Sequence, residues 1–600
     1  MPFIISAVLA ATSLAAQLPT PIHSNFNDRP AGIRQHGVQT VRLEARRGVW
    51  HPEAETGAAL PVEAFGEAGG PLLNPGPMIR VAAGTVVAAS VRNAIPAETL
   101  VVHGLGTRPG NDSLIVLPGE TRSVRFTAGE PGTYFYWGAT TGRPLEKRRR
   151  RDSQLSGAFI IDPPGARPAD RVFLIGVMVD SVDVGGHREL REVPTINGKM
   201  FPHLPEFTFA VGDTARWRWI NASDRTHPMH LHGFYFDVNG RGDGARDTVY
   251  SASERRHVVT ETLLSGATMD MAVAPERPGN WLFHCHVLFH VAPDLMLRPV
   301  TDSGRGAYEH MSGLTLLLHV RGRAAAQVTA APRRLRLLVE RGWHEFPGRD
   351  SVANGFVLTE GDDPAPGAIR VPGPPIVLTR GEPVAITVVN HLAEPTAVHW
   401  HGIELESYYD GVPGMSGEPG HLMPSIPAGD SFVVRFTPPR AGTFIYHTHI
   451  DDVRQLEGGL YGAIIVLEPG QTFDTATDHI VVISSYAEAD SILWNGRHLA
   501  DTLTLAAGTR ERLRFVIIPA AGDAELAMLR DTTVLQWTPW AKDGRDLPDA
   551  DRQPRPARAY VAVGETYDFA FTPEHADLLR FVIWAGPGGP IFYSAPVRVR

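Results

Sequence analysis

The chain has 600 residues, of which 43% are hydrophobic and 20% are charged, and its formal net charge is −9. These values describe an ordinary globular protein that is too long for one hydrophobic core. The small negative charge gives no reason to expect a nucleic-acid partner. A basic run at residues 147–151 is the local exception, and we expect it to be a solvated loop.

The first residues suggest an exported protein. Residues 4–16 form a short apolar stretch that ends in small residues. Such a stretch is too short to span a membrane and is typical of the core of a secretory signal. We therefore treat residues 1–20 as a signal-like segment and expect a secreted or periplasmic protein without a membrane span.

The chain repeats its own pattern after about half its length. Residues 76–96 resemble 373–392, residues 117–136 resemble 426–446, and residues 196–217 resemble 494–513. The order of units is therefore A, B, A′, B′, with roughly 130–160 residues in each unit.

Composition and local pattern favour an all-β fold. The 60 glycines and 50 prolines punctuate strands and break helices, and β-branched runs such as residues 385–389 are strand signals. We predict four β-sandwich domains. Their predicted limits are residues 21–165, 166–330, 331–470 and 471–600.

Four short segments rich in histidine carry the chemistry. They are His227-Pro228-Met229-His230-Leu231-His232, His284-Cys285-His286, His399-Trp400-His401 and His447-Thr448-His449. Cys285 is the single cysteine of the chain, so it cannot form an internal disulfide, and a metal bond would give an exported thiol a role. A thiolate flanked by imidazoles is a soft-ligand site that suits copper.

Strand geometry explains the spacing of these residues. Alternate side chains on a strand point to the same face, so both histidines of a His-x-His run can bind one metal cluster. In His284-Cys285-His286 the two histidines face one site and the cysteine faces another. His227 and His290 supply two further ligands on the cysteine side, and the other eight histidines can hold three copper ions.

A single His-x-His run is weak support, because a lone histidine is more often structural and short zinc sites use similar pieces. Four such pairs, with the single cysteine inside one of them, favour copper strongly.

The four segments resemble the signature motifs of the multicopper oxidases, the family of laccase, ascorbate oxidase and ceruloplasmin. The resemblance implies cupredoxin-like Greek-key sandwiches and four copper ions. It implies a type 1 copper at His227, Cys285 and His290, and a type 2 copper at His230 and His399. The six histidines implied for the type 3 pair are His232, His284, His286, His401, His447 and His449.

The order of the motifs departs from that of a typical laccase, in which the His-Trp-His domain comes first and the His-Cys-His domain last. Here the cysteine domain is second and the His-Trp-His domain is third. This order indicates a fusion of two two-domain units, with the trinuclear cluster at the B/A′ interface within one chain. Two-domain relatives assemble as trimers, so an oligomer is possible.

The first and fourth domains lack the copper motifs. Val101-Val102-His103-Gly104 aligns with the His-Trp-His-Gly run, and Tyr136-Trp137-Gly138-Ala139 aligns with the run that ends at His449. His103 cannot form a cluster alone, and we expect both domains to serve as scaffold.

Three residues compete for the axial position at the type 1 copper. The family's usual spacing of five residues after His290 leads to Leu295. Met311, however, opens a Met-x-Gly pattern followed by an apolar strand, as the axial methionine often does in blue-copper domains. We favour Met311, with an inserted loop at residues 291–310, over Leu295 and the less favoured Met296.

Asp410 matches an Asp-Gly segment that follows the His-Trp-His-Gly run in laccases. The resemblance implies that it lies near the type 2 copper and helps to deliver protons to reduced oxygen. An ordinary turn aspartate before glycine is an equal alternative.

The resemblance implies a copper-dependent oxidoreductase that uses oxygen as acceptor. A small-molecule reductant would give electrons to the type 1 copper, and Cys285 with His284 and His286 would pass them on for the four-electron reduction of dioxygen to water. Phenols and aromatic amines are the default reductants of laccase-like enzymes.

Other functions fit the sequence less well. The alternatives are a metal-ion oxidase in copper or iron homeostasis and a copper-binding or storage protein without turnover. The 12 methionines form no methionine-rich segment, which argues mildly against a cuprous oxidase. Storage does not need the His-Cys-His bridge, and a copper nitrite reductase does not need eight cluster histidines.

Overall fold

The computed structural model describes residues 20–107, 112–166, 169–292, 297, 311–323, 331–346, 349–362, 364, 366–486, 491–518, 523–584 and 589–600. Apart from Thr20, the signal-like segment 1–20 lies outside the described residues. The regular structure is nearly all β-strand, which confirms the all-β prediction. Among the described residues, no helix is long and apolar enough to cross a membrane.

The first sandwich packs two sheets around an aliphatic and aromatic core that includes Phe65, Tyr136 and Phe159. Its strands are β1 (Pro21–Ser24), β2 (Ile33–Gln35), β3 (Val38–Trp50), β4 (Leu60–Glu67), β5 (Leu72–Asn74), β6 (Gly76–Ala82), β7 (Val86–Asn93), β8 (Leu100–His103), β9 (Ser113–Val116), β10 (Thr121–Thr127), β11 (Gly132–Ala139) and β12 (Ser156–Asp162). Their order is β1-β5-β4-β3-β7-β10, with β2 on β3, and β6-β12-β11-β8-β9. Short 3-10 helices at Leu145–Lys147 and Arg151–Gln154 precede β12.

The second sandwich has an aromatic core around Trp217, Trp219 and Phe283. Its strands are β13 (Asp170–Val184), β14 (His187–Ile196), β15 (Phe207–Ala210), β16 (Ala215–Asn221), β17 (His227–Leu231), β18 (Phe236–Gly242), β19 (Asp247–Val249), β20 (Arg256–Val258), β21 (Thr260–Leu263), β22 (Thr268–Val273), β23 (Gly279–Cys285) and β24 (Thr315–Arg321). One sheet runs β14-β13-β16-β22-β18-β19, with β20 on β18, and the other runs β15-β24-β23-β17-β21. A 3-10 helix spans Leu288–His290.

The third sandwich packs the sheets β26-β25-β28-β32 and β27-β34-β33-β29. The strands involved are β25 (Arg333–Phe346), β26 (Arg349–Thr359), β27 (Gly373–Thr379), β28 (Val384–Asn390), β29 (Val398–His399), β30 (Gly417–Glu418), β31 (His421–Leu422), β32 (Ser431–Phe436), β33 (Gly442–Thr448) and β34 (Tyr461–Leu467). A 3-10 helix spans Ser407–Tyr409, and the short α-helix α1 spans Asp452–Gln455. The β30–β31 hairpin adds to β23 of the second sandwich, so the two domains share a sheet edge.

The fourth sandwich has its own core around Trp494, Phe515 and Phe581. Its strands are β35 (Asp478–Tyr486), β36 (Ser491–Trp494), β37 (Leu503–Leu505), β38 (Glu511–Ile517), β39 (Asp523–Arg530), β40 (Thr533–Val534), β41 (Gln536–Lys542), β42 (Arg545–Asp546), β43 (Arg555–Pro556), β44 (Arg558–Ala562), β45 (Thr566–Phe571), β46 (Asp577–Trp584) and β47 (Ile591–Val599). The sheets are β36-β35-β38-β45-β41-β42 and β37-β47-β46-β39-β40, with β43 on β41 and β44 on β39.

The interface between the first and second sandwiches has a copy between the third and fourth. Asp170 pairs with Arg218, whose guanidinium donates to Thr133 at 2.8 Å. In the second half, Asp478 pairs with Arg514, whose guanidinium donates to Thr443 at 2.9 Å. The same polar contact at both interfaces shows that the sequence repeat is a repeat of domain pairs.

The solvated loop expected at the basic run 147–151 is wrong for Arg148. This side chain is 1% exposed, and its Nη1 donates to the carbonyl oxygens of Gly138, Asp152 and Leu155 at 2.6–2.8 Å. Burial lowers the pKa of Arg148 to about 10. The guanidinium is tolerated there because carbonyl oxygens from β11 and from the segment before β12 accept hydrogen bonds from its Nη1.

Asp170 tests how much the ion cluster between the first two domains stabilises the protein. Its carboxylate lies 2.7 Å from Arg80 and 2.6 Å from Arg218, and all three side chains are nearly buried. Replacing Asp170 by Ala leaves two guanidinium groups short of a partner, so we expect a loss of about 3 kcal/mol of unfolding free energy. Calorimetric unfolding measures this loss.

The control is Asp549→Ala. The Asp549 side chain is 90% exposed and is one of two carboxylates, with Asp546, that pair with Arg552. This variant should unfold like the unaltered protein, because exposed ion pairs contribute little. Equal transition temperatures for the two variants would contradict the proposed role of Asp170.

Candidate metal centre

Cys285, His227 and His290 meet at one end of the second sandwich. The Cys285 Sγ lies 3.6 Å from His227 Nδ1 and 3.4 Å from His290 Nδ1, and the two imidazole nitrogens are 3.2 Å apart. The cysteine ends β23, His227 begins β17, and His290 ends the 3-10 helix that follows the cysteine. One sulfur and two imidazole nitrogens on a small triangle form a donor set suited to copper.

The segment at Met311 lies beside this triangle. Leu314 donates its amide to the His290 carbonyl, and Cys285 donates its amide to the Leu314 carbonyl, both at 3.0 Å. Met311 is buried, and the Thr315 hydroxyl lies 3.9 Å from its sulfur. Leu295 and Met296 lie outside the described residues, as does most of the predicted inserted loop 291–310. The choice of Met311 as the axial ligand stays a prediction.

Eight further histidines meet between the second and third sandwiches. Four come from the second domain and four from the third: His230, His232, His284, His286, His399, His401, His447 and His449. Their ligand atoms fall into three groups in which all atoms lie within 4.8 Å of one another, and His232 is shared by two groups. The groups are His230–His232–His399, His232–His284–His449 and His286–His401–His447.

Hydrogen bonds to backbone carbonyls orient several of these rings. The Nδ1 of His399 lies 2.6 Å from the Asp410 carbonyl, that of His284 lies 2.8 Å from the Cys285 carbonyl, and that of His447 lies 2.7 Å from the Thr448 carbonyl. Such a contact places the proton on Nδ1 and leaves Nε2 as an electron-pair donor.

The Nε2 atoms of the clustered histidines show whether these residues fit a metal ion. In the described part of the chain, buried Nε2 atoms without a hydrogen-bond partner occur on four of these rings: His230, His286, His399 and His447. Buried polar atoms are normally paired, so several unpaired nitrogens that converge on one place fit a bound metal. The residues present therefore fit copper.

Burial keeps the rings neutral. It lowers the pKa of His284 and His447 to about 4, and burial together with neighbouring histidines also holds the pKa values of His232 and His401 well below the usual value. Neutral imidazole is the form that binds a metal, so no proton has to leave before binding. Burial also raises the pKa of the Cys285 thiol, which would ionise only on binding a metal.

Asp410 lies among the histidines rather than on an exposed turn. Its Oδ2 is 2.8 Å from His232 Nδ1 and accepts a hydrogen bond from the Ser416 hydroxyl at 3.0 Å. The side chain is 1% exposed, and burial raises its pKa to about 8. Asp410 therefore contacts ligands from both domains, because its own carbonyl accepts from His399.

A shared polar contact closes the interface beneath the histidines. Ser407 donates its hydroxyl to the Asn280 carbonyl at 2.7 Å, and Asn280 donates its side-chain amide to the Met415 carbonyl at 3.0 Å. Asn280 also pairs with Gly417 as β23 meets β30. The strand that carries the His-Cys-His run is thus anchored to the third domain.

The fourth domain also contacts the histidines. Sequence reasoning did not predict this contact. A Cβ on Gly564 would lie 2.6 Å from the His286 ring, so only glycine fits there. Asp543 accepts the backbone amides of Val259 and Thr260 at 3.2 and 2.9 Å, and the Thr260 hydroxyl lies 3.1 Å from His230 Nδ1. The fourth domain is therefore more than a distant scaffold.

In the first domain, other side chains occupy the place that corresponds to the histidines of the third domain. His103, which aligns with His401, stacks on Trp137, which aligns with His447, at 4.2 Å between ring centroids. The buried Arg148 guanidinium lies 5.3 Å from the Trp137 ring. An indole and a guanidinium occupy the space where a second histidine pair would lie.

Comparison with known proteins gives a family for this chain. Two family models, both described as multicopper oxidase, match the chain. One matches residues 73–166 and again residues 369–471, and the other matches residues 179–305. Together they cover more than half of the chain, and the double match of the first follows the A/A′ repeat.

Individual relatives align over shorter stretches. Copper resistance protein A homolog of Pseudomonas syringae pv. tomato is 34% identical over 20% of this chain and 19% of the relative. Laccase-1 of Cryptococcus neoformans var. grubii is 31% identical over 27% of this chain and 24% of the relative. The chain thus matches about a fifth to a quarter of these relatives' length.

Among solved structures, the multicopper oxidase mgLAC has a TM-score of 0.36 and 25% identity, covering 45% of this chain and 86% of that chain. The family models, with the copper motifs that they span, give the identification: this chain belongs to the multicopper oxidase family.

Proposed function

We propose that the protein is a laccase-like oxidase that couples one-electron oxidation of a phenol or aromatic amine to reduction of dioxygen to water. The observation that carries the proposal is the position of Cys285. Its sulfur faces His227 and His290, while its two chain neighbours, His284 and His286, face the histidines of the third domain. A storage protein has no need of such a covalent link between two donor sets.

The ligand residues form two sites with different roles. Copper, when bound, supplies the one-electron steps and the reduction of dioxygen. We assign one ion to His227, Cys285 and His290, one to His230 and His399, and two to the remaining six histidines. The few covalent bonds from Cys285 to its neighbours then form the shortest electron path between the sites.

Glu192 marks the side from which a reductant can approach. Its carboxylate lies 3.5 Å from His290 Nε2, pairs with Arg225, and is 23% exposed, whereas His227 is fully buried. Despite partial burial, His290 and Arg225 hold the pKa of Glu192 near 2, so it is ionised at neutral pH. A carboxylate beside the ligand can accept a hydrogen bond from a phenol or an aromatic amine.

Replacing Cys285 by Ser tests the oxidase directly. We expect the copper-loaded protein to hold four ions per chain, to absorb strongly near roughly 600 nm, and to consume oxygen with a phenolic dye. Cys285→Ser should hold three ions, lose the absorption band and lose the oxygen uptake. Oxygen uptake that survives in Cys285→Ser would contradict the proposal, and copper binding without uptake in either protein would favour storage.

Asp410 is proposed to deliver protons during oxygen reduction. Asp410→Asn keeps the size of the side chain and its contact with His232 but cannot give up a proton. We expect substrate to reduce the copper–cysteine site at an unchanged rate, while reoxidation by dioxygen slows by at least about tenfold, the lower range for loss of a positioned acid. Stopped-flow absorbance follows both steps, and unchanged reoxidation would refute the role.

The pKa of Asp410 also predicts the pH dependence of stability in copper-free protein. Folding raises this pKa from 3.8 to about 8, so the folded state holds the proton more tightly than the unfolded state. The stability of the natural protein relative to Asp410→Asn should therefore fall as pH rises through this range, by at least about 1 kcal/mol, and then level off. Urea unfolding at pH 5 and pH 9 measures the difference, and parallel pH profiles would contradict it.

Oxidation of a metal ion is the second candidate. The names of two relatives, copper resistance protein A and its homolog, favour it. Oxygen uptake with cuprous ion, compared with a phenol at equal concentration, distinguishes the two candidates. Glu192→Gln is the sharper probe, because it should change the Michaelis constant of the true reductant and not that of the other.

A further inference from the structure

The A/B junction and the A′/B′ junction contain the same hydrogen bonds between an asparagine side chain and the backbone. At the A/B junction, Asn197 accepts from the Leu174 amide at 2.8 Å and donates to the Val172 carbonyl at 3.0 Å. At the A′/B′ junction, Asn495 accepts from the Val482 amide at 2.7 Å and donates to the Ile480 carbonyl at 3.2 Å. Both asparagines have φ of 50°.

In the first half of the molecule, an extended segment, which we call the arm, covers Asn197. The arm is residues 20–28, which contains β1, and β1 runs parallel to β5. Asn25 donates its side-chain amide to the carbonyls of Pro75 and Gly76 at 3.2 and 3.1 Å. Asn27 donates to Asn197 and to the Val172 carbonyl at 3.3 and 3.1 Å, and Asn197 is only 1% exposed as a result.

In the second half, no described residue covers the same place. A cavity of about 570 Å³ is lined by residues 369–375, with Ile480, Asn495 and Arg497 opposite. Asn495 is exposed where Asn197 is buried, and Pro372 is half-buried where Pro75 is buried. Residues 369–371 hold the place of β5, but only Arg370 forms a bridge, to Phe356. We call this cavity the open groove.

The connection between the second and third domains cannot supply an arm. It is 11 residues long, from the end of β24 to the start of β25. The open groove lies at the other end of β25, where His344 and Glu345 line it, roughly 35–40 Å away. Eleven residues reach at most about 40 Å, which is about the length of one pass from the groove to the start of β25.

A second copy of the chain cannot fill the open groove either. Each copy has two such places, one at the A/B junction and one at the A′/B′ junction, but one Asn25-Phe26-Asn27 arm. That arm already lies at the A/B junction of its own chain. Exchange of arms between copies would still leave one groove open per chain.

We propose that the open groove binds an extended segment of a different protein, which adds as a strand parallel to residues 369–371. The segment would carry two asparagines spaced as in the arm, one donating to the carbonyls of Pro372 and Gly373, the other to Asn495 and the Ile480 carbonyl. Backbone pairing supplies affinity in this mode, and alternate side chains supply specificity.

Charge refines the identity of the partner segment. In the arm, His23 pairs with Leu73 across β1 and β5. Arg370 takes the place of Leu73 in the open groove and is exposed, and Arg497 lines the same cavity. The partner therefore carries an acidic residue at the position of His23.

The test uses the full-length protein and a labelled nine-residue peptide with the sequence of residues 20–28. Fluorescence anisotropy should show saturable binding of one peptide per chain. Changing both asparagines of the peptide to alanine should weaken binding by at least about tenfold, because two sets of hydrogen bonds are lost. Replacing the histidine by glutamate should strengthen it.

A charge reversal in the protein locates the site. Arg370→Glu, on an exposed side chain, should reverse the preference, so that a peptide with lysine at the histidine position binds more tightly than one with glutamate. Hydrogen exchange should slow at residues 369–371 when the peptide is bound, and residues 72–74 should be unaffected.

Three outcomes would overturn the proposal. The first is absence of saturable binding, and the second is binding that ignores both the asparagines and Arg370→Glu. The third is protection at residues 72–74, which would indicate that the peptide replaces the arm in the first half of the molecule. All readouts are independent of copper and of oxidase activity.

Discussion

The register between β17 and β23 is the constraint on which the copper site depends. Met229 lies opposite Cys285, and His230 lies opposite His284. Side chains alternate along both strands, so the cysteine joins Met229 and Phe283 on the face toward the core. His230 and His284 lie on the other face, which the third domain covers. A slip of one residue would exchange the two faces and send the cysteine into the histidine cluster.

Once the register is set, burial makes the histidines dependent on a metal. Eight neutral imidazoles lie buried at an interface, and several Nε2 atoms have no partner among the described residues. Unpaired buried polar atoms destabilise a fold, so metal binding and closure of the second domain on the third must favour one another. The Ser407–Asn280 contact at the foot of β23 holds the interface in the geometry that a metal requires.

Sequence reasoning succeeded where the signal is local. The all-β fold follows from turn residues and short β-branched runs, and the grouping of His-x-His residues follows from strand alternation alone. It failed where the partner is distant in sequence. Gly564 and Asp543 look like ordinary turn residues, yet one packs on His286 and the other holds the strand next to His230. Arg148 looked like part of a solvated run because its carbonyl partners come from separate places, strand β11 and the segment just before β12.

The order of domains explains why the two halves differ. The A′ domain follows a B domain along the chain, and its four histidines meet those of that B domain. Covalent connection of B to A′ makes their association intramolecular, which favours one complete site without a second chain. In the first domain, Trp137 and Arg148 occupy the corresponding place, where the guanidinium lies 5.3 Å from the indole and donates to the Asp152 carbonyl. The repeat therefore preserves the asparagine hydrogen bonds of the A/B junction, seen at Asn197 and Asn495. The side chains at the positions of the histidines differ between the two halves.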